Sequence, residues 1–261
     1  MTIESVLCFG AHPDDELSIA GLLIHMARQG VAVHLLYLTG GESGPRGVPP
    51  IAPNADLGKI RPAEAICAGG IIGAETVEFL GYIDIAMDAN DRLGPVHDPD
   101  VLASQIRAHI ERTQPQVVFT HGSDGDYGHP AHKLCHRMVK RVVQEMGAQA
   151  PLFYGWDAWY ADYPWPERLN QSDRTHAYID VEQYLDLVRA MGQCHRTQSS
   201  TWHYRKEQKN GRKMTFEEIW RNQPTLFIHR HLPPVAEDTT PQDELMNWLK
   251  TQPSLLKTDM P

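Results

Sequence analysis

The chain has 261 residues, enough for one ordinary α/β domain with a large core, on a prior of about 150 residues per domain. Its 24 Lys and Arg against 33 Asp and Glu give a formal net charge of −9. That balance excludes the basic face a general nucleic-acid binder needs to displace counterions, and it disfavours docking on anionic lipid. A hydrophobic content of 41% with 22% charged residues is that of a globular chain rather than a disordered one.

The first residues, Met1 to Phe9, carry an acid and no Lys or Arg, so they read as no signal peptide. Val6–Phe9 is a short buried strand. Residues 13–29 follow as a helix with Leu17, Ala20, Ile24 and Ala27 at helical spacing, ended by Gly30, and Val31–Leu38 is a second strand. Residues 40–53 hold four Gly and four Pro and read as a long mobile loop. Helices are expected over 59–73, 99–113, 130–146 and 182–195, and strands over Glu75–Leu80, Val117–Thr120 and Leu226–His229. After Pro233 the chain turns polar and is expected to continue as an extended tail or small appendage, giving one catalytic domain over 1–232 and an extension over 233–261. Strands alternating with helices predict a Rossmann-like α/β fold: a mostly parallel sheet with helices on both faces and the active site at the strand carboxyl ends.

No apolar run approaches the ~18 residues of a membrane span. The four cysteines (Cys8, Cys67, Cys135, Cys194) form no C-x-x-C pair. Cys8 and Cys135 lie in apolar patterns, and a reducing cytoplasm is the expected compartment.

Two clusters carry chemistry. Ala11-His12-Pro13-Asp14-Asp15-Glu16 stands where the first strand stops and the first helix begins. Pro13 suits the first helical position, and His12 and Asp15, three apart, would share one face. One such Asp would simply cap a helix. A His with three consecutive acids is costly unless a cation neutralises them. The second cluster, His121 to His132 with Asp124, Asp126, Tyr127 and His129, is followed by His136, so four of the 14 histidines fall within 16 residues. It too follows a short strand and leads into a helix opened by a proline, Pro130. In an open α/β sheet both clusters project into one crevice, and His, His and a carboxylate with an open position is the ligand set of a catalytic zinc. His25, His34, His109 and His176 are isolated and read as surface or core histidines, and His195, closing a helix, is balanced between structure and site. No G-x-G-x-x-G, Walker A or G-x-S-x-G pattern occurs.

His12-Pro13-Asp14-Asp15-Glu16 and His129-Pro130-Ala131-His132 resemble the paired motifs of the PIG-L/LmbE family of zinc-dependent N-deacetylases. Supporting similarity runs over roughly residues 5–200 and takes in Thr39–Gly44, Arg61–Glu64, Leu80–Asp84 and His195–Gln198. The second motif departs from the usual His-Pro-Asp-His, with Ala131 in place of the Asp, and Asp126 is the acid that could substitute for it. The resemblance implies one zinc, or another divalent metal, per chain, held by His12, Asp15 and His132. It implies Asp14 as general base, His129 as electrophilic or acid partner, Tyr127 assisting at the carbonyl, and Arg61 and Asp84 on the substrate's polar groups. Amide hydrolysis needs these parts: a nucleophile at neutral pH, a base, and a donor for the oxyanion. Either Asp14 or His129 could then protonate the leaving amine.

The expected substrate is a small soluble N-acetylglucosamine glycoside, with no nucleic acid and no membrane as partner, and a homo-oligomer is compatible with the sequence. An amidase of thiol-adduct conjugates and a non-catalytic metal- or sugar-binding relative are the competing readings. Residues 153–165 hold seven of the chain's 21 aromatics, interrupted by Pro164, Asp157 and Asp162. They read as no single buried element, with Trp159 taken as a candidate for packing on a sugar ring beneath the 40–53 loop.

Overall fold

The computed structural model describes residues 3–51, 53, 56–85, 94–219, 224–236 and 239–256. In chain order the elements are β1 (Ser5–Gly10), α1 (Ala20–Arg28), β2 (Ala32–Thr39), α2 (Leu57–Ile72), β3 (Thr76–Tyr82), α3 (Pro99–Thr113), β4 (Val117–Thr120), α4 (Pro130–Met146), β5 (Leu152–Trp156), β6 (Ala158–Trp159), β7 (Asn170–Arg174), β8 (Ala177–Asp180), α5 (Leu185–Cys194), α6 (Arg196–Asn210), α7 (Phe216–Ile219), β9 (Thr225–Leu232) and α8 (Glu244–Lys250). Seven strands form one sheet in the order β3-β2-β1-β4-β5-β9-β8. Pairings from β3 to β5 are parallel; β9 runs antiparallel to both β5 and β8. β6 and β7 make a separate two-stranded ribbon.

The strand order turns at β1, which pairs with β2 on one side and β4 on the other. The connections leaving β1 and β4 therefore diverge, and a crevice opens outside their carboxyl ends. Both chemical clusters stand there because each directly follows one of these two strands. β1 and β4 are buried along their whole length, as strands covered on both faces should be. Two apolar clusters cover the sheet. One packs α1, α2, α5 and α8 residues against Val6, Cys8, Val33, Leu35 and Phe119. The other packs α3 and α4 against Leu7, Phe9, Leu36 and Val118. Among the described residues no helix is long and apolar enough to cross a membrane.

Several expectations are corrected. The helix expected over 13–29 starts only at Ala20; a 3₁₀ turn occupies Asp15–Ser18, and Pro13 opens no helix. Asp15 and Glu16 instead accept the backbone N–H groups of His12 and Asp14, and the Asp14 carboxylate pairs with Arg61. The aromatic run opens as β5, with Phe153, Tyr154 and Trp156 almost wholly buried. Continuous burial removes the polar alternation by which a strand is read. The segment after Pro233 is no extended tail, since α8 puts Leu245, Met246, Trp248 and Leu249 into the first core cluster. Cys67 in α2 and Cys194 at the end of α5 form a disulfide, which spacing alone could not reveal. Cys8 and Cys135 are free and buried.

Candidate active site

Beyond β1 the backbone turns through Asp14, a non-glycine residue at φ 108°. Three contacts hold it there. The buried Arg61 guanidinium donates from Nη2 to the Pro13 carbonyl at 2.6 Å and to Asp14 Oδ1 at 3.2 Å, and Asp14 N–H donates to Glu16 Oε2 at 3.0 Å. Arg61 Nη1 donates to the Gly41 carbonyl at 2.9 Å. Gly41 and Gly44 lie so close that a Cβ at either would meet Arg61 Nη1 at 2.3 or 2.2 Å. The Gly-rich start of the 40–53 loop is thus a cradle for Arg61, and Arg61 aims the Asp14 carboxylate. Burial pushes the Asp14 carboxyl up to about 7, against the pull of Arg61.

His12 and Asp15 come together through a turn rather than a shared helix face: His12 N–H donates to Asp15 Oδ2 at 2.7 Å, and His12 Nδ1 is 3.6 Å from the same oxygen. The opposite Asp15 oxygen, Oδ1, lies 3.4 Å from His132 Nε2. The His12 and His132 rings are 5.4 Å apart. His132 Nδ1 donates to Asp126 Oδ2 at 2.9 Å, and His121 Nδ1 donates to the same oxygen at 2.7 Å. Asp126 is therefore the acid that does the orienting, though it holds His132 and His121 rather than His129. Asn170 fixes Asp126 in turn, donating from Nδ2 to Oδ1 at 3.0 Å and accepting Asp126 N–H at 2.8 Å.

The donor set fits a metal ion. Two trios have ligand atoms within 4.8 Å of one another: His12, His129 and His132, and Asp15, His121 and His132. Neither trio is the expected His12–Asp15–His132 set: His12 and Asp15 fall in different trios, and only His132 is common to both. His121 Nε2 accepts the Ala11 N–H at 3.2 Å, so its lone pair is engaged. His12 Nε2 and His132 Nε2 are buried and make no hydrogen bond, although Asp84 Oδ1 stands 3.3 Å from the former. Two buried imidazole nitrogens without a hydrogen bond, one of them 3.4 Å from Asp15 Oδ1, are suited to holding a cation. The Asp126–His132 pair is the carboxylate–histidine arrangement that orients a ligand.

His129 caps α4, its Nδ1 accepting Ala131 N–H at 3.2 Å. That leaves Nε2 to carry the proton of the neutral ring. Burial, then His132 and His12, push its pKa down to about 3. The ring stacks on His132 at 4.5 Å and meets His12 edge-on at 4.8 Å. Tyr127 stands over both His129 and His132, at 5.8 and 5.4 Å, and is 60% exposed, at the mouth of the crevice.

The remaining expected residues fall differently. Asp84 is buried against His12 and is held by Ser43, whose Oγ donates to the Asp84 carbonyl at 2.8 Å. Trp159 lies in β6 under the Arg174 guanidinium, 5.6 Å from its ring centre, and lines a hollow of about 350 Å³ with Tyr160, Arg174, His176 and Tyr178. No side chain of the His12–His132 cluster lines that hollow. The 40–53 loop is tied to α6 by Gln198 Nε2 on the Pro45 carbonyl and Val48 N–H on Ser200 Oγ. Glu16 and His195, and Asn170, which the sequence did not single out, also belong to the site. Glu16, 1% exposed, accepts Tyr37 Oη at 2.8 Å and pairs with His195 Nε2 at 2.5 Å. His195 is thereby a buried anchor, and its place after a helix was the available signal. Asn170, in the unread β7, had none.

A profile described as "GlcNAc-PI de-N-acetylase", the PIG-L family, matches residues 7–143, spanning both clusters. The chain belongs to this family. A curated relative from Rhodococcus opacus, 1D-myo-inositol 2-acetamido-2-deoxy-alpha-D-glucopyranoside deacetylase, is 35% identical over 57% of this chain and 56% of its own length. The chain thus spans only a little over half of that protein. Two solved structures share the fold. One is the 4-carboxy-2-hydroxymuconate hydratase GalB of Pseudomonas putida, with TM-score 0.60 and 23% identity over 90% of this chain and 99% of that one. The other is N,N'-diacetylchitobiose deacetylase of Pyrococcus horikoshii, with TM-score 0.62 and 17% identity over 90% and 88%.

Proposed function

We propose that this PIG-L family chain is a zinc-dependent hydrolase that removes an N-acetyl group from a small N-acetylglucosamine-type glycoside. The observation that carries the reading is the pair of buried nitrogens without a hydrogen bond, His12 Nε2 and His132 Nε2, the latter 3.4 Å from Asp15 Oδ1. His12, Asp15 and His132 would hold the ion. When bound, zinc supplies Lewis acidity toward water and the amide carbonyl.

Asp14, aimed by Arg61, takes the proton of the attacking water. His129 stays neutral and offers Nε2–H to the carbonyl oxygen as negative charge develops there, with the Tyr127 hydroxyl beside it. A histidine so reluctant to take a second proton is a poor acid. Asp14, having gained the water's proton, returns it to the leaving amine. Asp84, against His12, supports that ligand, and we assign Trp159 no part in the bond-breaking step.

Acetate release from N-acetylglucosaminyl-inositol tests the reading. Turnover should be lost with chelator and restored by zinc. Asp14→Asn should keep bound zinc and lower kcat by about 10²–10⁴-fold. Absence of acetate from this and other N-acetylglucosamine glycosides, with the metal site full, would overturn the assignment.

A further inference from the structure

Outside this centre the described residues contain a second gathering of metal-binding side chains. Asp173, His229 and His231 each place a ligand atom within 4.8 Å of those of the other two. His229 and His231 alternate along β9 and so project from the same face of the strand. Asp173 comes from β7. His176, just before β8, stacks on His229 at 4.2 Å, and His136 from α4 meets the His231 ring edge-on at 4.4 Å.

Hydrogen bonding prepares these groups for a cation. His229 Nδ1 donates to the Arg174 carbonyl at 2.6 Å, which fixes the tautomer and leaves the Nε2 lone pair free. The His231 side chain is 7% exposed, its Nε2 is buried without a hydrogen bond, and that atom lies 3.6 Å from Asp173 Oδ2. Two donors on one tetrahedral zinc, each at about 2.1 Å, stand about 3.4 Å apart. Asp173 is itself held, accepting Ser123 Oγ and Ser123 N–H at 2.6 Å each. The backbone makes room for the ring: a Cβ at Gly155, on the neighbouring β5, would sit 2.6 Å from His231 Nε2. The hollow that Trp159 lines reaches His176 and gives solvent access toward the stacked His229.

We propose that Asp173, His229 and His231 form a second divalent-metal site of zinc type, separate from the His12–Asp15–His132 centre. Its position gives it a task. Asp173 holds Ser123, and His136 Nδ1 donates to the His121 carbonyl at 3.0 Å. An ion here braces the β4–α4 connection, which carries Asp126, Tyr127 and His129.

The test is metal stoichiometry. Whole protein is stripped with chelator, equilibrated with zinc at a buffered free concentration, and its bound zinc measured by mass spectrometry of the element. Wild type should hold two ions per chain. His132→Ala should lose one, and the double variant His229→Gln/His231→Gln should lose the other, with its fold checked by circular dichroism. In parallel, wild-type crystals soaked in zinc should show an anomalous difference peak between Asp173, His229 and His231, a measurement that needs no variant to fold. Wild type binding a single ion that His132→Ala removes would overturn the second site. So would a β9 variant that keeps both ions, or anomalous scattering confined to His12, Asp15 and His132. Failure of the second site leaves the first untouched, since the two are read out by different variants.

Discussion

Asp126 decides how well the proposed centre can hold metal. Its Oδ2 accepts the Nδ1–H of both His121 and His132, while Oδ1 accepts the Asn170 amide. Each oxygen therefore faces a donor. In Asp126→Asn, turning the amide oxygen to the histidines points the amide nitrogen at Asn170 Nδ2, and the reverse orientation sets it against two imidazole N–H groups. Either way His132 loses the partner that fixes its tautomer. Zinc affinity should fall by about 10–100-fold, measured by competition with a chelating dye. Unchanged affinity would mean that Asp126 serves packing alone. The two clusters were legible because each is local: His12, Asp14 and Asp15 lie within four residues, and Tyr127, His129 and His132 within six. Arg61 was legible as part of the site but not in its work. Its Nη1 and Nη2 groups donate to Pro13, Gly41 and Asp14, contacts made across the fold that sequence spacing does not encode.

At the scale of elements, α1 shows how packing overrides propensity. Gly21 lies inside α1, where replacement by Ala would gain about 1 kcal/mol of helix propensity. A Cβ there, however, would sit 2.5 Å from Val181 Cβ and 2.8 Å from each Val181 Cγ. Val181 is 2% exposed and belongs to the same core cluster, so it has nowhere to swing. Overpacking of this kind costs about 1–3 kcal/mol. Gly21→Ala should therefore be destabilised, by up to about 2 kcal/mol in urea unfolding. A stabilised variant would show that α1 can slide away from Val181. The elements that could be read share a signal with α1, either a helical apolar period or a short apolar run between breakers. α3, β4 and α4 coincide with their expected bounds because Pro99, Pro115, Pro130 and Gly147 mark their ends. α6 escaped because its buried face is polar. Thr197, Gln198, Ser199 and Thr201 are buried there, with Thr197 donating from N and Oγ1 to Glu64 at 2.8 and 2.7 Å. A helix docked by hydrogen bonds leaves no hydrophobic period to find.

Across the whole molecule, covalent and apolar ties close one layer of the sandwich. On the α1–α2–α5 side, α8 returns from the end of the described chain to bury Trp248 and Leu249 beside Tyr184, and the Cys67–Cys194 bridge joins α2 to α5 across 127 residues. On the α3–α4 side apolar packing is joined by ion pairs, Arg107 with Glu145 and Arg141 with Asp100. The bridge runs against the reducing compartment expected from the sequence, because a cytosolic thiol pool would keep both cysteines reduced. Thiol counting decides which state the protein adopts. Protein prepared without reductant should show no reactive thiol when native, because the remaining cysteines, Cys8 and Cys135, are buried. It should show two when unfolded without reductant, and four after reduction. Four thiols in the unfolded, unreduced sample would mean that the pair stays open. Where the bridge forms, it ties off a long loop in the unfolded chain, and bridges of this kind contribute about 2–4 kcal/mol. For a chain of this size that corresponds to roughly 5–15 °C in Tm. Cys67→Ser/Cys194→Ser should melt lower by that margin in scanning calorimetry, while holding the same zinc per chain, since neither cysteine touches a proposed ligand. A melting point unchanged beside an oxidised wild type would show that the α2–α5 contact already supplies all the order the bridge could add.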